Sequence, residues 1–166
     1  MGDIGFEITV DNTGKIISDV KRAAAQALEM MGAQCQNYAA DTIRSNTSGT
    51  GALANSLTHK VDEGAQTVTI GTDMEYAAYV EYGTGVYGPN GGTGGGWWVY
   101  VDGGGGGGKH SGKRYTYAEA VRVLAILHSQ GVDAHMTQGR RALHFLRDAV
   151  DNHKDEYRSI AEQAFK

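Results

Sequence analysis

The sequence predicts an α+β fold: an antiparallel β-sheet with a long N-terminal helix, a C-terminal helix, and a Gly/aromatic-rich insert that carries an extra helix. Apolar residues recur every three or four positions over residues 15–45 and over about 141–165, as in amphipathic helices. They alternate with polar residues in a predicted hairpin over 53–71. Fifteen of the 25 glycines lie between Gly83 and Gly112, which marks the insert, at about 83–136. A chain of 166 residues is long enough for a single domain, predicted over 1–166.

The first half begins with alternation over Phe6–Val10, which is typical of an edge strand. The long helix then carries one apolar stripe, formed by Ile16, Val20, Ala23, Ala27, Met31, Cys35, Tyr38 and Thr42. At 1.5 Å per residue, helix 15–45 would span roughly 46 Å, so we expect one end to project beyond a domain of this size. The hairpin turns at Asp62–Ala65, and Glu75–Tyr82 reads as a short helical element.

The second half contains a strand candidate, Trp97–Val101, between glycines. Thr116 and Glu119 have the spacing of a capping box, and the helix that they open should stop at Gly131. Residues 120–127 are apolar nearly all round, so we expect this helix to be buried in the fold or against a neighbouring subunit. Charged residues cover the outer side of the C-terminal helix.

Composition and charge exclude several classes of protein. The net charge of −4 argues against a protein that coats duplex DNA, which would normally present a basic patch. The single cysteine, Cys35, has no partner for a disulfide and is expected to be a buried apolar side chain. Residues 1–10 have no signal-peptide pattern, and no stretch approaches the ~18 apolar residues of a membrane span. The sequence predicts a soluble protein made in a reducing cytosol.

Two glycine patterns resemble nucleotide-binding motifs but lack the rest of the site. Gly83–Gly88 matches G-x-G-x-x-G, yet Pro89 and further glycines follow, so no helix can begin there to receive a pyrophosphate. Gly103–Lys109 nearly matches a phosphate loop, but His110 stands where Ser or Thr should bind magnesium. The histidines lack metal-ligand spacing, and no catalytic triad or carboxylate pair stands out. We expect no cofactor, no metal, no catalytic residue and no enzymatic activity.

Aromatic residues around the glycines are the best candidates for a functional surface. The predicted interface residues are Tyr76, Tyr79, Tyr82, Trp97, Trp98 and Tyr100. Glycine lets backbones approach closely, and aromatic rings anchor subunit interfaces. Ordinary packing is one alternative. Single-strand nucleic-acid binding is another, although it needs cations along the strand and the insert offers few, such as Lys109, Lys113 and Arg114.

Several motifs carry a resemblance to a known family. They are Gly49-Thr-Gly-Ala-Leu-Ala-Asn-Ser-Leu, Val68-Thr-Ile-Gly-Thr, Tyr76-Ala-Ala-Tyr-Val-Glu-Tyr-Gly-Thr-Gly, Trp98-Val-Tyr and Thr137-Gln-Gly-Arg-Arg-Ala-Leu-His-Phe-Leu-Arg. In this order, over almost the whole chain, they resemble the tail-completion and neck proteins of long-tailed bacteriophages. The chain departs from the family at His144, which replaces a proline and predicts a different turn, and over Gly103–Met136, which is longer than the family's loop.

The resemblance implies a structural virion protein in the tail or neck, assembled in the cytoplasm of the host bacterium. It would form a homo-oligomeric ring at the head–tail junction and join with connector, tail-terminator or tail-tube proteins. Genome DNA would pass through the lumen without specific binding, and no membrane would be involved. The projecting end of helix 15–45 would add to the contact surface. The resemblance leaves open whether the ring is a tail terminator, a neck or a head-closure ring.

Overall fold

The computed structural model describes residues 10–47, 51–89, 95–101, 109–110 and 112–166, and it confirms the predicted α+β class. The predicted edge strand at Phe6–Val10 lies outside the described residues except for Val10. The elements are α1 (Thr13–Asn46), α2 (Ala52–Ser56), β1 (Thr58–Asp62), β2 (Thr67–Gly71), α3 (Ala77–Tyr82), a 3-10 turn (Gly85–Tyr87), β3 (Trp98–Val101), β4 (Lys109–His110), α4 (Tyr117–Ser129), β5 (Ala134–Thr137), α5 (Phe145–Asp151) and α6 (Lys154–Ala164).

Helix α1 is the long helix that the apolar stripe predicts, and its 34 residues correspond to about 51 Å. Its buried residues all lie from Ala27 to Ile43. Ile16, Ile17 and Val20 precede them and are 60%, 50% and 49% exposed. The N-terminal end of α1 therefore extends past the core with an apolar side in water.

The hairpin of β1 and β2 packs on α1. Gly32 allows the close approach, since a Cβ there would lie 2.6 Å from the His59 ring and 2.7 Å from Val68 Cγ2. The alternation that the sequence shows is reproduced, because His59 and Val61 are half-buried between exposed neighbours.

The predicted start of the hairpin at residue 53 is wrong. Residues Ala52–Ser56 form α2, and the hairpin occupies Thr58–Gly71. The physical reason is that Leu53, Ala54 and Leu57 are all buried, a spacing that one turn of helix satisfies and an extended strand does not.

The first core joins α1, α2, α3 and α5. Its buried residues are Cys35, Ala39, Ala40, Ile43, Leu53, Ala54, Leu57, Ala77, Val80, Phe145 and Ala149. Phe145, Ile43 and Leu57 are its largest fully buried side chains. Cys35 is a free, buried thiol, as its place in the stripe predicts.

The predicted single C-terminal helix over about 141–165 is instead two helices, α5 and α6, with a break at Asn152 and His153. The His153 ring stacks on Tyr38 of α1, with ring centroids 3.5 Å apart. The Tyr157 hydroxyl donates to the Ala149 carbonyl at 2.8 Å, and burial raises the pKa of that hydroxyl. These contacts favour the break because they hold the start of α6 against α1.

The insert core is a second, separate cluster built on a three-stranded antiparallel sheet in the order β4-β3-β5. Helix α4 covers one face, where Val99, Ala120 and Ala134 are buried. The predicted capping box is present, and Gly131 follows the helix with φ +74°. Helix α4 is not buried all round in this chain, because Tyr117, Val121 and Ile126 are 60%, 41% and 56% exposed.

Candidate interaction surface

The motif Tyr76–Gly85 places three tyrosine rings in water. Tyr76, Tyr79 and Tyr82 are 44%, 63% and 57% exposed, while Ala77 and Val80 between them are buried in the first core. A spacing of three residues keeps the rings on neighbouring positions of one helical side. We call Tyr76, Tyr79 and Tyr82 the tyrosine row.

Glu81 attaches α3, which carries the tyrosine row, to the start of α5. It is 5% exposed, and its carboxylate accepts the backbone N–H groups of Leu146 at 2.9 Å and Arg147 at 3.2 Å. These are donors of the first turn of α5, where the helix dipole also favours a negative charge. Glu81 therefore caps a helix that begins 64 residues further along the chain.

Backbone hydrogen bonds continue this attachment. Leu143 N–H donates to the Val80 carbonyl at 2.9 Å, and His144 N–H donates to that of Glu81 at 3.1 Å. Thr84 N–H donates to the Arg140 carbonyl at 2.9 Å, and the Thr84 hydroxyl accepts from Arg140 N–H at 2.9 Å. Helix α3 and the following loop are thus fixed along the segment that leads into α5.

The glycines of the G-x-G-x-x-G pattern serve this close packing. Gly83 has φ +78°, and a Cβ there would lie 2.7 Å from the Tyr87 carbonyl oxygen and 2.9 Å from that of Arg140. A Cβ at Gly85, with φ +60°, would overlap the carbonyl oxygen of Gln138. Both positions need glycine because of backbone conformation and space, and a 3-10 turn follows them instead of a phosphate-binding helix.

Glu81 is the residue that the sequence analysis missed. A local signal did exist, since His144 stands at the N-cap of α5 and provides no side-chain cap. A helix start without a Ser, Thr, Asp or Asn cap requires another acceptor for its N–H groups. His144 also adopts φ +52°, a backbone conformation that a proline could not adopt.

The other three predicted interface residues are half-buried; Trp97 directly precedes β3, and Trp98 and Tyr100 lie on it. Trp97 packs in the insert core and meets Tyr117 edge-on, with ring centroids 5.5 Å apart. Trp98 and Tyr100 point to the opposite face of the strand. Tyr100 lies beside His135, its cross-strand neighbour, at a ring centroid distance of 5.5 Å.

Two arginines lie on aromatic rings around the Gly83–Gly88 loop. The Arg141 guanidinium is 5.2 Å from the Tyr87 ring centroid, and that of Arg114 is 5.4 Å from the ring of Trp98. Trp98 in turn lies against Gly85, where a Cβ would come within 2.8 Å of the indole. The loop therefore connects the tyrosine row with the Trp98 face of the insert sheet.

Little in the described part of the chain suggests a ligand or metal. No group of three or more His, Cys, Asp or Glu side chains there could hold a metal ion. The phosphate-loop-like segment Gly103–Lys109 falls outside the described residues except for Lys109. No described helix is both long and apolar enough to cross a membrane.

A comparison with protein-family models gives one match, over residues 9–83, to the family described as "Bacteriophage HK97-gp10, putative tail-component". Residues 9–83 are therefore similar to a family of phage tail components. They include α1, the hairpin and the whole tyrosine row, so the predicted resemblance is confirmed for this part of the chain. No curated protein and no solved structure matched the chain.

The matched family is described as a putative tail component, which supports a structural role in a phage tail for the part of the chain that matches. The match ends at Gly83, so it does not extend to the insert or to the last two helices. The six aromatic interface residues remain a prediction, and the structure separates them into an exposed set at α3 and a half-buried set at β3.

Proposed function

We propose that the chain is a tail-completion or neck protein that forms a ring at the head–tail junction of a tailed bacteriophage. It contacts sister copies and the adjacent connector, terminator or tail-tube proteins, without catalysis. Genome DNA passes through the lumen of the ring. The protein is assembled in the host cytoplasm and functions in the virion.

The observation that supports this proposal most is the fixed tyrosine row. Three exposed rings lie on or next to a helix whose last residues are held by a buried carboxylate and by two backbone hydrogen bonds, from Leu143 and His144 to the carbonyls of Val80 and Glu81. An interface loses less conformational entropy when its anchors are already fixed. Tyrosine is also among the residue types that dominate interface energies.

A reconstitution experiment tests the ring. Purified chain is added to phage tail tubes assembled without it, and the tube ends are viewed by electron microscopy. We expect rings at one end of the tubes with the wild-type chain, and none with Tyr79→Ala/Tyr82→Ala. The matched variant Tyr79→Phe/Tyr82→Phe keeps both rings and should still bind. Bare tube ends with the wild-type chain would contradict the proposal.

The second candidate function is single-strand nucleic-acid binding, and the two arginine–aromatic pairs favour it. Bases stack on aromatic rings and on guanidinium planes, and cations along the strand contact phosphates. This function predicts salt-sensitive binding of a fluorescent oligonucleotide that Trp98→Ala weakens. An oligonucleotide fluorescence that stays unchanged as protein is added at low salt would contradict this function.

A further inference from the structure

One side of helix α4 is apolar and exposed. Tyr117, Val121 and Ile126 are 60%, 41% and 56% exposed, and Ala118 and Ala125 between them are exposed too. Positions 118, 121 and 125 have the spacing of one helical side. We call these five residues the α4 ridge, whose ends are about 14 Å apart at 1.5 Å per residue. Other residues of α4 pack in the insert core, so the ridge is the part of the helix left for an outside partner.

A groove of about 320 Å³ lies between α1 and the turn of the β1–β2 hairpin. Its apolar lining is Ala24, Ala25 and Leu28 of α1, and its charged lining is Lys21 of α1 and Glu63 of the turn. The four α1 positions have the i, i+3, i+4 and i+7 spacing that places them on one side of the helix. We call this the α1–hairpin groove. It offers an apolar floor between two opposite charges.

The groove continues into the projecting end of α1. Ile17 is four residues before Lys21 and seven before Ala24, so it lies on the same side of the helix, and it is 50% exposed. From Ile17 to Leu28 this side of α1 is about 17 Å long. That length accommodates the α4 ridge, which is about 14 Å long.

The charges of the two surfaces are complementary. Arg122 lies at the middle of the α4 ridge, and Glu63 lines the groove. Both are exposed, and neither forms an ion pair with another described residue. The planar guanidinium of arginine binds a carboxylate through two parallel hydrogen bonds. Glu119, one turn before Arg122, carries the charge opposite to that of Lys21, so both charges of the groove have a counterpart beside the ridge.

We propose that the α4 ridge of one copy binds in the α1–hairpin groove of the next copy. Val121 and Ile126 lie on the groove floor, and Arg122 pairs with Glu63 of the next copy. The ridge belongs to the insert and the groove to the family-matched residues 9–83, so two different surfaces meet. Such a contact leaves a free ridge at one end of a row of copies and a free groove at the other, and it closes into a ring when the rotation allows. The inference rests on the proposed ring and deepens it.

A second α4 ridge is a poorer occupant than the groove. Arg122 is at the middle of the ridge, so a two-fold contact between two ridges brings the Arg122 side chains of both copies together near the axis. Like charges that face each other across an interface are repulsive. In the groove, the same arginine meets a carboxylate.

A charge placed on either surface tests the contact in the full-length chain. Val121→Glu alters the ridge and Ala24→Glu alters the groove floor. Because each buries an unpaired carboxylate in the contact, we expect each to weaken self-association by more than about tenfold in sedimentation velocity over a concentration series. Gln26→Glu is the matched control, since Gln26 is exposed and lies about 200° around α1 from Ala24. It should leave association unchanged.

The decisive sample is an equimolar mixture of the two altered chains. Val121→Glu keeps a normal groove and Ala24→Glu keeps a normal ridge, so one good contact joins one copy of each. We expect a pairwise association constant within about threefold of wild type. The complexes should stop at a dimer, because the remaining ridge and groove are both altered. Rescue in the mixture also shows that both variants are folded.

Exchange of the charged pair is an independent test. Arg122→Glu and Glu63→Arg should each weaken self-association by about fivefold or more, because each places like charges opposite one another. The chain with both substitutions should return to within about threefold of wild type. Circular dichroism and thermal melting of each variant exclude a loss of fold.

Several results would overturn the inference. One is a wild-type chain that stays monomeric at every concentration, and another is a mixture that associates no better than its two components. Ala24→Glu that associates as tightly as wild type, while Val121→Glu does not, would assign the ridge to a two-fold contact. Rings on tail tubes that both variants form as well as wild type would also overturn the inference and leave the proposed ring in place, whereas bare tube ends with the wild-type chain contradict the ring itself.

Discussion

The first core and the insert core differ in how much apolar surface each encloses. The first core fully buries large side chains, with Phe145 at 0%, Ile43 at 1% and Leu57 at 2% exposure. The insert core buries Val99 and two alanines, and its half-buried residues contribute the rest. Since stabilisation scales with the apolar area removed from water, the first core should hold its own fold, whereas the insert core is the weaker of the two.

The two cores also differ in what they leave exposed. The first core ends in a fixed tyrosine row, and α1, α2, α3 and α5 all bury residues in it. In the insert, α4 leaves Tyr117, Val121 and Ile126 largely exposed to water. The first core therefore supplies most of the buried apolar area together with a fixed surface, whereas the insert leaves more of its apolar side chains exposed.

The largest expected effect is that of Phe145→Ala. Removing this fully buried ring should lower the free energy of unfolding by about 3–5 kcal/mol. Urea denaturation followed by far-ultraviolet circular dichroism measures the loss. Phe165→Ala is the matched control, since this phenylalanine is 56% exposed and should change stability by less than about 0.5 kcal/mol. Equal effects would mean that the first core is not the main source of stability.

Glu81→Ala should have the next largest effect. The change leaves two N–H groups of α5 without their buried acceptor, and each charged hydrogen bond contributes about 1.5–3 kcal/mol, so we expect a loss of roughly 2–4 kcal/mol. The chemical-denaturation midpoint measures it. Glu81→Gln keeps one acceptor oxygen and should lose less.

Glu75→Ala provides the control for Glu81→Ala, because Glu75 is exposed and close in sequence. Its effect on unfolding should be within about 0.5 kcal/mol of zero. If Glu81→Ala were as mild as Glu75→Ala, the tyrosine row would not depend on the cap, and the rigid surface would need another explanation.

Local patterns predicted most of the fold, and long-range contacts account for what they missed. The stripe of α1, the alternation of β1 and β2, the capping box of α4 and the strand β3 all depend on residues close in sequence. The α5–α6 break depends on Tyr38, which lies more than 100 residues before His153. Periodicity alone could not reveal it, because the apolar stripe continues across Asn152 and His153.

The candidate site shows the same limit. The spacing in the sequence grouped Tyr76, Tyr79 and Tyr82, but it did not explain the glutamate at position 81. Glu81 is explained only by N–H groups that are 65 and 66 residues away. In the same way, Gly83 and Gly85 resembled a ligand-binding pattern because sequence does not show the backbone segment packed against them.

A smaller effect is expected from Thr116→Ala in the insert. The Thr116 hydroxyl accepts from Glu119 N–H, and the Glu119 carboxylate accepts from Thr116 N–H at 2.8 Å. Losing this reciprocal cap should cost about 1 kcal/mol. Amide hydrogen exchange should show faster opening of α4 with little change in α1.

Thr116→Ser is the matched control, because serine retains the capping hydroxyl and should preserve protection of α4. The experiment also tests the comparison of the two cores. If Thr116→Ala speeds exchange equally in α1 and α4, the two regions open together and the insert is not the weaker unit.

The smallest expected effect concerns acid and the packing of α6 on α1. The Tyr38 hydroxyl, and then the His153 ring, donate to the Glu156 carboxylate and hold its pKa below the ordinary value of 4.5. Because the folded state favours the ionised form, this contribution is complete above the ordinary pKa and is lost as pH falls through the lowered one. Carboxyl resonances followed by NMR on acidification should show Glu156 titrating below 4.5, with faster amide exchange in α6 over the same range.

Tyr38→Phe removes the first donor and should move the pKa of Glu156 back towards its ordinary value. An unchanged pKa in Tyr38→Phe would show that this hydroxyl does not hold α6 in place, and that the ring stacking with His153 and the contacts of Tyr157 do so without it.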